Sequence, residues 1–209
     1  MEDKKEFRFT CIKCGNCCTD KNTLVNVTYF DILKIKKALN LSLDEIIEIL
    51  GFYVFDKEPT KEELNKMVIS PIETEKGLAF IGLKKKSNGK CYFFNEKTIR
   101  CLIYDARPMF CRTFPLSFRI IFDKRNKTKA KIIMSYTKKG KQYCPGIDSV
   151  DSSIINENEW IKVGKKTIEE MHDNNILIEK WNNMVKKGQI RPSVRKFLMN
   201  ILNLEEKNN

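Results

Sequence analysis

The chain has 209 residues, 42% of them hydrophobic, and a formal net charge of +12. This composition is enough to build one folded domain with a small appendage. It holds no apolar run near the ~18 residues that a membrane-spanning helix needs. The first residues, MEDKKEFRF, have no apolar signal-peptide core. We therefore expect a cytoplasmic protein with no membrane contact.

The N-terminal run CIKCGNCC places Cys11, Cys14, Cys17 and Cys18 within eight residues. Two residues separate each of the first three thiols from the next, so one compact loop can bring them together. Gly15 can take a positive φ inside that loop. Such a loop wraps a soft metal ion or an iron–sulfur cluster. Because cytosolic thiols are usually kept reduced, the run favours metal binding over redox-active thiols or disulfides, which are the alternatives.

The pattern of residues 20–90 predicts helices and a strand, and it contains no obvious motif of a catalytic or binding site. A hydroxyl residue followed three positions later by an acidic one marks helix starts at Thr28, Ser42 and Thr60. The predicted elements are a helix from Tyr29 to Leu39, a second helix that ends at Gly51, a short third helix after Thr60, and a buried strand from Leu78 to Leu83.

A second cysteine block extends from Cys91 to Pro115, with Cys101 and Cys111 ten and twenty positions after the first thiol. This spacing is too long for a single metal knuckle, so the three thiols must come from separate elements that converge in space. The pattern predicts strands over residues 91–94 and 99–104 and then a short turn or helix opened by Asp105 and Pro108.

Arg107 and Arg112 flank Cys111 in this block. Metal–thiolate centres carry net negative charge, and a nearby guanidinium can stabilise it or donate to a sulfur. We therefore predict that both arginines stabilise the thiolate ligands without binding the metal themselves. The alternative is that they are surface residues of a basic protein.

The next segment predicts a basic hairpin. The runs SFRIIF and AKIIMSY are typical of strands, and DKRNKTK is typical of a turn. Residues 117–141 hold nine basic residues and one acidic residue. A cationic hairpin can contact a nucleic acid or an acidic protein, although a solvated hairpin explains the same pattern. The residues predicted for such a contact are Lys124, Arg125, Lys127 and Lys129.

After residue 148 the apolar residues recur at helical spacing, and Pro192 predicts the start of a last helix. We divide the chain into a cysteine-cluster domain, residues 1–148, and a helical C-terminal segment, residues 149–209. The predicted fold class is α+β. It has a small antiparallel sheet around a cysteine-ligated metal centre, helices before the sheet and helices after it.

The cysteine blocks CIKCGNCC, CYFF and CLIYDARPMFCRTFP together resemble the cysteine-cluster family with the CxxCxxCC signature, which includes YkgJ-like proteins. The resemblance covers roughly residues 8–148, and Cys144 with Gly146 is similar to the trailing C-x-G of many members. It implies a zinc- or iron-chelating domain. Flagellin lysine N-methylases are similar to the family around the cluster, so the resemblance also suggests a methylase-like enzyme, although it supports metal binding far better than any reaction.

The eight cysteines can supply two four-sulfur sites, and the metal is either iron or zinc. The C-x-x-C-x-x-C run and the Cys144-Pro145 pair favour an iron–sulfur cluster, with 4Fe-4S ahead of zinc. A sulfur-bridged dinuclear site fits the same thiols. One division of the ligands places Cys11, Cys14, Cys17 and Cys144 in one site and Cys18, Cys91, Cys101 and Cys111 in the other.

Several catalytic classes lack their residues. The single histidine, His172, excludes a Cys₂His₂ zinc finger and gives little support to a Cys–His nucleophile. No Rossmann or P-loop glycine motif occurs, and the radical S-adenosylmethionine spacing is absent. Three functions stay open: a metal- or iron–sulfur-binding protein, a lysine N-methylase-like enzyme, and a nucleic-acid-binding module with structural zinc.

Overall fold

The computed structural model describes residues 6–122 and 130–208 and confirms the predicted α+β class. The strands form three small antiparallel sheets, with strand orders β1–β3–β2, β4–β5 and β6–β7. In chain order the elements are α1 (Asn16–Thr19), α2 (Tyr29–Leu39), α3 (Leu43–Ile49), β1 (Leu50–Val54), α4 (Lys61–Lys66), β2 (Ile72–Thr74), β3 (Gly77–Leu83), β4 (Phe94–Asn95), β5 (Arg100–Cys101), α5 (Met109–Thr113), β6 (Leu116–Phe122), β7 (Ala130–Tyr136), α6 (Lys138–Tyr143), α7 (Glu157–Lys186) and α8 (Val194–Asn208).

The three predicted helix starts are confirmed, because α2, α3 and α4 each begin with a complete capping box. Helix α2 has the predicted bounds. Helix α3 ends at Ile49, before the predicted Gly51, because Leu50 and the residues after it pair with β3 as strand β1. Pairing between distant segments therefore overrides the local helical pattern at this point.

The main hydrophobic core joins both ends of the chain. It packs α2, α3 and the three-stranded sheet against the C-terminal helices, and Trp181 and Phe197 are both only 2% exposed there. Trp181 Nε1 also donates a hydrogen bond of 2.9 Å to the carbonyl oxygen of Glu73. The C-terminal helices thus share a core with the cysteine-bearing part, and the division at residue 148 stays a prediction.

Helix α7 is a single helix of 30 residues in the region where apolar residues recur at helical spacing. Asparagine side chains fasten it to the body by accepting hydrogen bonds from backbone N–H groups. The pairs are Asn174 with Tyr29 at 2.9 Å, Asn175 with Ser70 at 2.9 Å, and Asn182 with Glu73 at 2.8 Å.

The predicted hairpin is confirmed as β6 and β7, which pair from Leu116↔Tyr136 to Phe122↔Ala130. Its base forms a second, smaller hydrophobic cluster with Phe7 and Trp160. Within the described part of the chain, no helix is both long and apolar enough to cross a membrane. The four residues predicted for nucleic-acid or acidic-partner contact lie outside the described residues: Lys124, Arg125, Lys127 and Lys129.

Candidate metal centre

The first cysteine is positioned by backbone pairing between the N-terminal segment and the segment after α6. Phe9 N donates to Ser153 O at 2.9 Å, and Thr10 N donates to Gly146 O at 3.1 Å. A Cβ at Gly146 would lie 2.1 Å from Thr10 O, so only glycine allows this approach. The pairing brings Cys11 close to Cys144.

The next cysteines follow a left-handed turn at Gly15, whose φ is 79° and which precedes α1. Cys18 N and Thr19 N both donate to Gly15 O, at 2.8 and 3.0 Å. Cys91 N donates to Cys18 O at 2.8 Å, which joins the N-terminal loop to the second cysteine block. Asn16 Nδ2 donates to Tyr143 O at 3.1 Å, beside Cys144.

The second block has shorter strands than the sequence predicts. Strand β4 covers Phe94–Asn95 in place of residues 91–94, and β5 covers Arg100–Cys101 in place of 99–104. The chain turns immediately before and after β5, with a positive φ of 52° at Ile99 and a turn closed by Ala106 N and Ile103 O at 3.0 Å. Of the short turn or helix predicted to open at Asp105 and Pro108, the structure shows a helix, α5, whose N-cap is Pro108 and which carries Cys111.

All eight cysteines line one cavity of about 80 Å³: Cys11, Cys14, Cys17, Cys18, Cys91, Cys101, Cys111 and Cys144. None is in a disulfide; the first three are exposed and the others are partly buried. Apolar side chains such as Phe93, Ile103 and Phe114 complete the walls. Among the described residues, no histidine or carboxylate lines the cavity.

The thiol of Cys18 lies between two other sulfurs. Its Sγ is 4.0 Å from that of Cys17, and hydrogen bonding with Cys101 and Cys17 raises the pKa of Cys18. Hydrogen bonding with Cys18, together with the charge of Arg107, lowers the pKa of Cys17 to about 7 and that of Cys101 to about 7. These two thiols therefore ionise before Cys18.

Burial has the opposite effect on other thiols in the cavity. Desolvation raises the pKa of Cys91 and of Cys144, and it raises the pKa of Cys111 well above its ordinary value. The neighbouring thiolates add to these shifts. Those that act on Cys144 are Cys14, Cys11 and Cys17, whereas those that act on Cys111 are Cys17, Cys91 and Cys101.

The sulfurs share a cavity but do not form a closed coordination shell. Within residues 6–122 and 130–208, no three His, Cys, Asp or Glu side chains converge closely enough to hold an ion as they stand. The sulfur neighbours form two groups that meet at Cys17, one around Cys144 and one around Cys111. Binding at either group therefore requires its thiols to turn inward.

A family match adds to this geometry. Residues 10–145 match the CxxCxxCC family, described as a "Putative zinc- or iron-chelating domain". The chain belongs to this CxxCxxCC family. This agrees with the predicted resemblance and supports a zinc- or iron-chelating role, without distinguishing the two metals.

Two relatives of this CxxCxxCC protein come from Methanocaldococcus jannaschii. The uncharacterized protein MJ0661 is 30% identical over 155 residues, which is 74% of this chain and 65% of that protein. The uncharacterized protein MJ0939 is 27% identical over 156 residues, which is 73% of this chain and 42% of that protein. The chain thus spans less than two thirds of either relative. No solved structure matches the chain.

The two predicted arginines of this CxxCxxCC protein point in different directions. Arg107 lines the cavity; its guanidinium lies 3.7 Å from the Tyr104 ring centre, and its Nε donates to Tyr104 O at 2.8 Å. Arg112 instead lies 3.8 Å from a carboxylate oxygen of Glu170 on α7. Its buried Nε finds no hydrogen-bond partner in the described part of the chain. Of the two, Arg107 is the one that faces the thiols.

Sequence reasoning missed a second role of Asp31. It predicted only the capping box with Thr28, but the other carboxylate oxygen accepts a hydrogen bond of 2.7 Å from Met109 N. Asp31 is 1% exposed, and burial raises the pKa of its carboxyl. No local signal in the sequence pairs position 31 with position 109.

Proposed function

We propose that this protein binds an iron–sulfur cluster through its cysteine thiolates, with zinc as the competing metal. The observation that carries the proposal is the single cavity shared by all eight cysteines, which come from separate parts of the chain. Thiolates select zinc and iron–sulfur clusters, whereas magnesium and calcium prefer oxygen ligands. A lining that offers thiols and, among the described residues, no carboxylate therefore suits the soft metals.

We assign the ligands to two groups, which meet within the cavity. Cys144 has Cys14, Cys11 and Cys17 as sulfur neighbours, which supports the first group. Cys18 has Cys101 and Cys91 as sulfur neighbours, which supports the second group, and its further neighbour Cys17 is where the two groups meet. A sulfur-bridged dinuclear centre would use the same residues. The first group is Cys11, Cys14, Cys17 and Cys144, and the second is Cys18, Cys91, Cys101 and Cys111.

Two features support a cluster over a single zinc ion. The cavity of about 80 Å³ is several times the ~10–15 Å³ that one water needs, so it has room for a polynuclear group. The C-x-x-C-x-x-C spacing is also typical of iron–sulfur ligation. An iron–sulfur cluster supplies one-electron redox chemistry when it is bound. Phe93 and Ile103 form an apolar wall beside the thiols.

The protein's own groups prepare the thiols for metal. Cys17 and Cys101, with pKa values of about 7, offer thiolates near neutral pH. The guanidinium of Arg107 stabilises the negative charge on both sulfurs. Cys91 and Cys111 hold their protons longer because they are desolvated, so a metal must displace those protons as it binds.

The test is anaerobic purification followed by iron, zinc and acid-labile sulfide analysis with a visible spectrum. Iron with sulfide and a broad visible absorbance supports the cluster. If the protein is colourless and holds stoichiometric zinc, the centre is structural zinc and not a cluster. The basic hairpin then becomes the next place to look for function. Protein that takes up neither metal after reconstitution overturns the proposal.

Matched variants locate the centre. Cys11→Ser, Cys14→Ser and Cys17→Ser should each lose metal and stability, because the binding energy of a metal in a folded site is also folding energy. Arg107→Ala should weaken metal retention, since Arg107 faces the thiols. Arg112→Ala is the control, because this side chain faces Glu170 and its loss should leave the metal spectrum unchanged.

A further inference from the structure

A buried carboxylate connects the first long helix to the helix that carries Cys111. Asp31 Oδ2 accepts hydrogen bonds from Thr28 N and Thr28 Oγ1, both at 3.0 Å. Asp31 Oδ1 accepts a third from Met109 N at 2.7 Å. Met109 is the first residue of α5, and Cys111 follows two positions later.

Helix capping alone does not explain this arrangement. The other two capping boxes use Glu45 and Glu63, both exposed, so a capping carboxylate in this chain does not need burial. Burying a carboxylate is costly unless its oxygens are well bonded. Moreover, the charge of Asp31 raises the pKa of Cys111, so it does not activate that thiol. What remains is a geometric role at α5.

Helix α5 needs an acceptor from elsewhere in the chain. Its N-cap is Pro108, whose side chain has no group that accepts a hydrogen bond, although the first N–H groups of any helix need acceptors. The helix has only five residues, and its internal bonds include Arg112 N to Pro108 O at 2.9 Å and Phe114 N to Phe110 O at 3.2 Å. Pro108 and Cys111 both line the cysteine cavity. The first turn of α5 therefore sets the direction of the Cys111 thiol.

We propose that Asp31 is a positioning residue of the metal centre, which fixes Cys111 by holding the first turn of α5. This inference rests on the proposed function, in which Cys111 is a ligand. Loss of groups that orient metal ligands typically lowers metal affinity 10- to 100-fold. We expect a loss of this size, about 10- to 100-fold, in Asp31→Ala.

The experiment is a Co²⁺ titration of the reduced, metal-free full chain, followed by the thiolate-to-cobalt absorption band. Asp31→Ala should bind Co²⁺ about 10- to 100-fold more weakly and shift the band, because the Cys111 sulfur is no longer held in position to bind the ion. Asp31→Asn keeps one acceptor oxygen, so its affinity for Co²⁺ should lie between that of Asp31→Ala and that of the original sequence. Thr28→Ala is the matched control: it removes the hydroxyl half of the same capping box but keeps the Asp31–Met109 bond, so its band should be unchanged.

The outcomes separate this inference from the proposed function. If the protein with its original sequence shows no thiolate–cobalt band, the proposed function is contradicted. If the protein with its original sequence binds Co²⁺, and folded Asp31→Ala binds it with equal affinity and an identical band, the role of Asp31 is overturned. If circular dichroism shows that Asp31→Ala does not fold, the same conclusion follows from Asp31→Asn with undiminished affinity. A Thr28→Ala variant as weak as Asp31→Ala also overturns it.

Discussion

Replacing Gly15 with alanine should disturb both the fold and the metal centre. Gly15 has a φ of 79°, and a Cβ there would lie 2.6 Å from Cε2 of Phe94. The left-handed backbone costs a residue with a Cβ about 1–2 kcal/mol. Displacing the ring of Phe94, which is only 4% exposed, adds about 1–3 kcal/mol of overpacking. We therefore expect Gly15→Ala to lower the free energy of unfolding by about 2–5 kcal/mol.

The effect should extend to the thiols, because Phe94 pairs directly with Cys101 between β4 and β5. Urea unfolding followed by circular dichroism measures the stability, and metal analysis of the purified variant measures the centre. Gly188→Ala is the matched control: Gly188 has a φ of 68°, and nothing lies within 4 Å of its Cβ position. This control should lose only the backbone term, about 1–2 kcal/mol, and should keep its metal.

A second substitution separates the ring contact from the backbone strain. Phe94→Leu provides space near the added methyl group, so the double variant should be more stable than the sum of the two single variants indicates. Equal stability losses in Gly15→Ala and Gly188→Ala, with the same metal content, would refute the reasoning. Strict additivity in the double variant would refute the contact with Phe94.

Three further predictions concern other parts of the chain. A hydrogen bond from Lys139 lowers the pKa of Asp20 to about 2, below its unfolded value of ~3.9. The pair therefore stabilises the fold above about pH 4 and loses this effect as the pH falls towards 2. Asp20→Asn should cost about 1 kcal/mol at pH 7, allowing for solvent screening, and almost nothing near pH 2, as urea unfolding would show. In metal-free protein at pH 7, iodoacetamide should modify Cys17 before Cys111, as peptide mass spectrometry would show, because burial raises the pKa of Cys111. Trp181→Phe removes a hydrogen bond and should lower the free energy of unfolding by about 1 kcal/mol. If the C-terminal helices unfold together with the body, this variant should still unfold in a single transition.

Local signals in the sequence predicted the elements whose ends are set locally. The bounds of α2 follow from its capping box and from Asn40, which takes the left-handed conformation after it. The end of α3 could not be predicted in the same way, since Leu50 leaves the helix to pair with Leu83. The strands around Cys101 are short for a different reason, since the chain turns at Ile99 before β5 and again at Ile103 after it.

The candidate site shows the same limit. The spacing of the cysteines predicted which residues matter, but their meeting in one cavity depends on long-range pairings such as Thr10 with Gly146. Sequence also treated Arg107 and Arg112 alike, because both flank the same thiol. Helix α5 separates them: Arg107 lies before its first turn and faces the thiols, whereas Arg112 lies within it and faces Glu170 on α7.

The cavity is lined by Leu83 and Phe93 of the main core and also by Gly146, which precedes Ile147 of the smaller cluster. Cys91 and Cys101 pack against the main core, while the segment after Cys144 contributes Ile147 to the smaller cluster at the base of the hairpin. A metal held by thiols from both sides would therefore link the two clusters. Because the smaller cluster has only three buried residues in the described chain, it should depend on that link more than the main core does.

Removal of the metal should therefore loosen the hairpin base first. We expect a chelator to speed amide hydrogen exchange around Leu116 and Tyr136 much more than in β3, where Ile81 lies in the main core. Mass spectrometry of exchanged peptides, with and without chelator, measures this difference. Cys144→Ser should produce the same pattern without a chelator, since it removes the thiol three residues before Ile147 of the smaller cluster. A uniform increase across both clusters would mean that the cysteines stabilise the whole chain and do not specifically link its two cores.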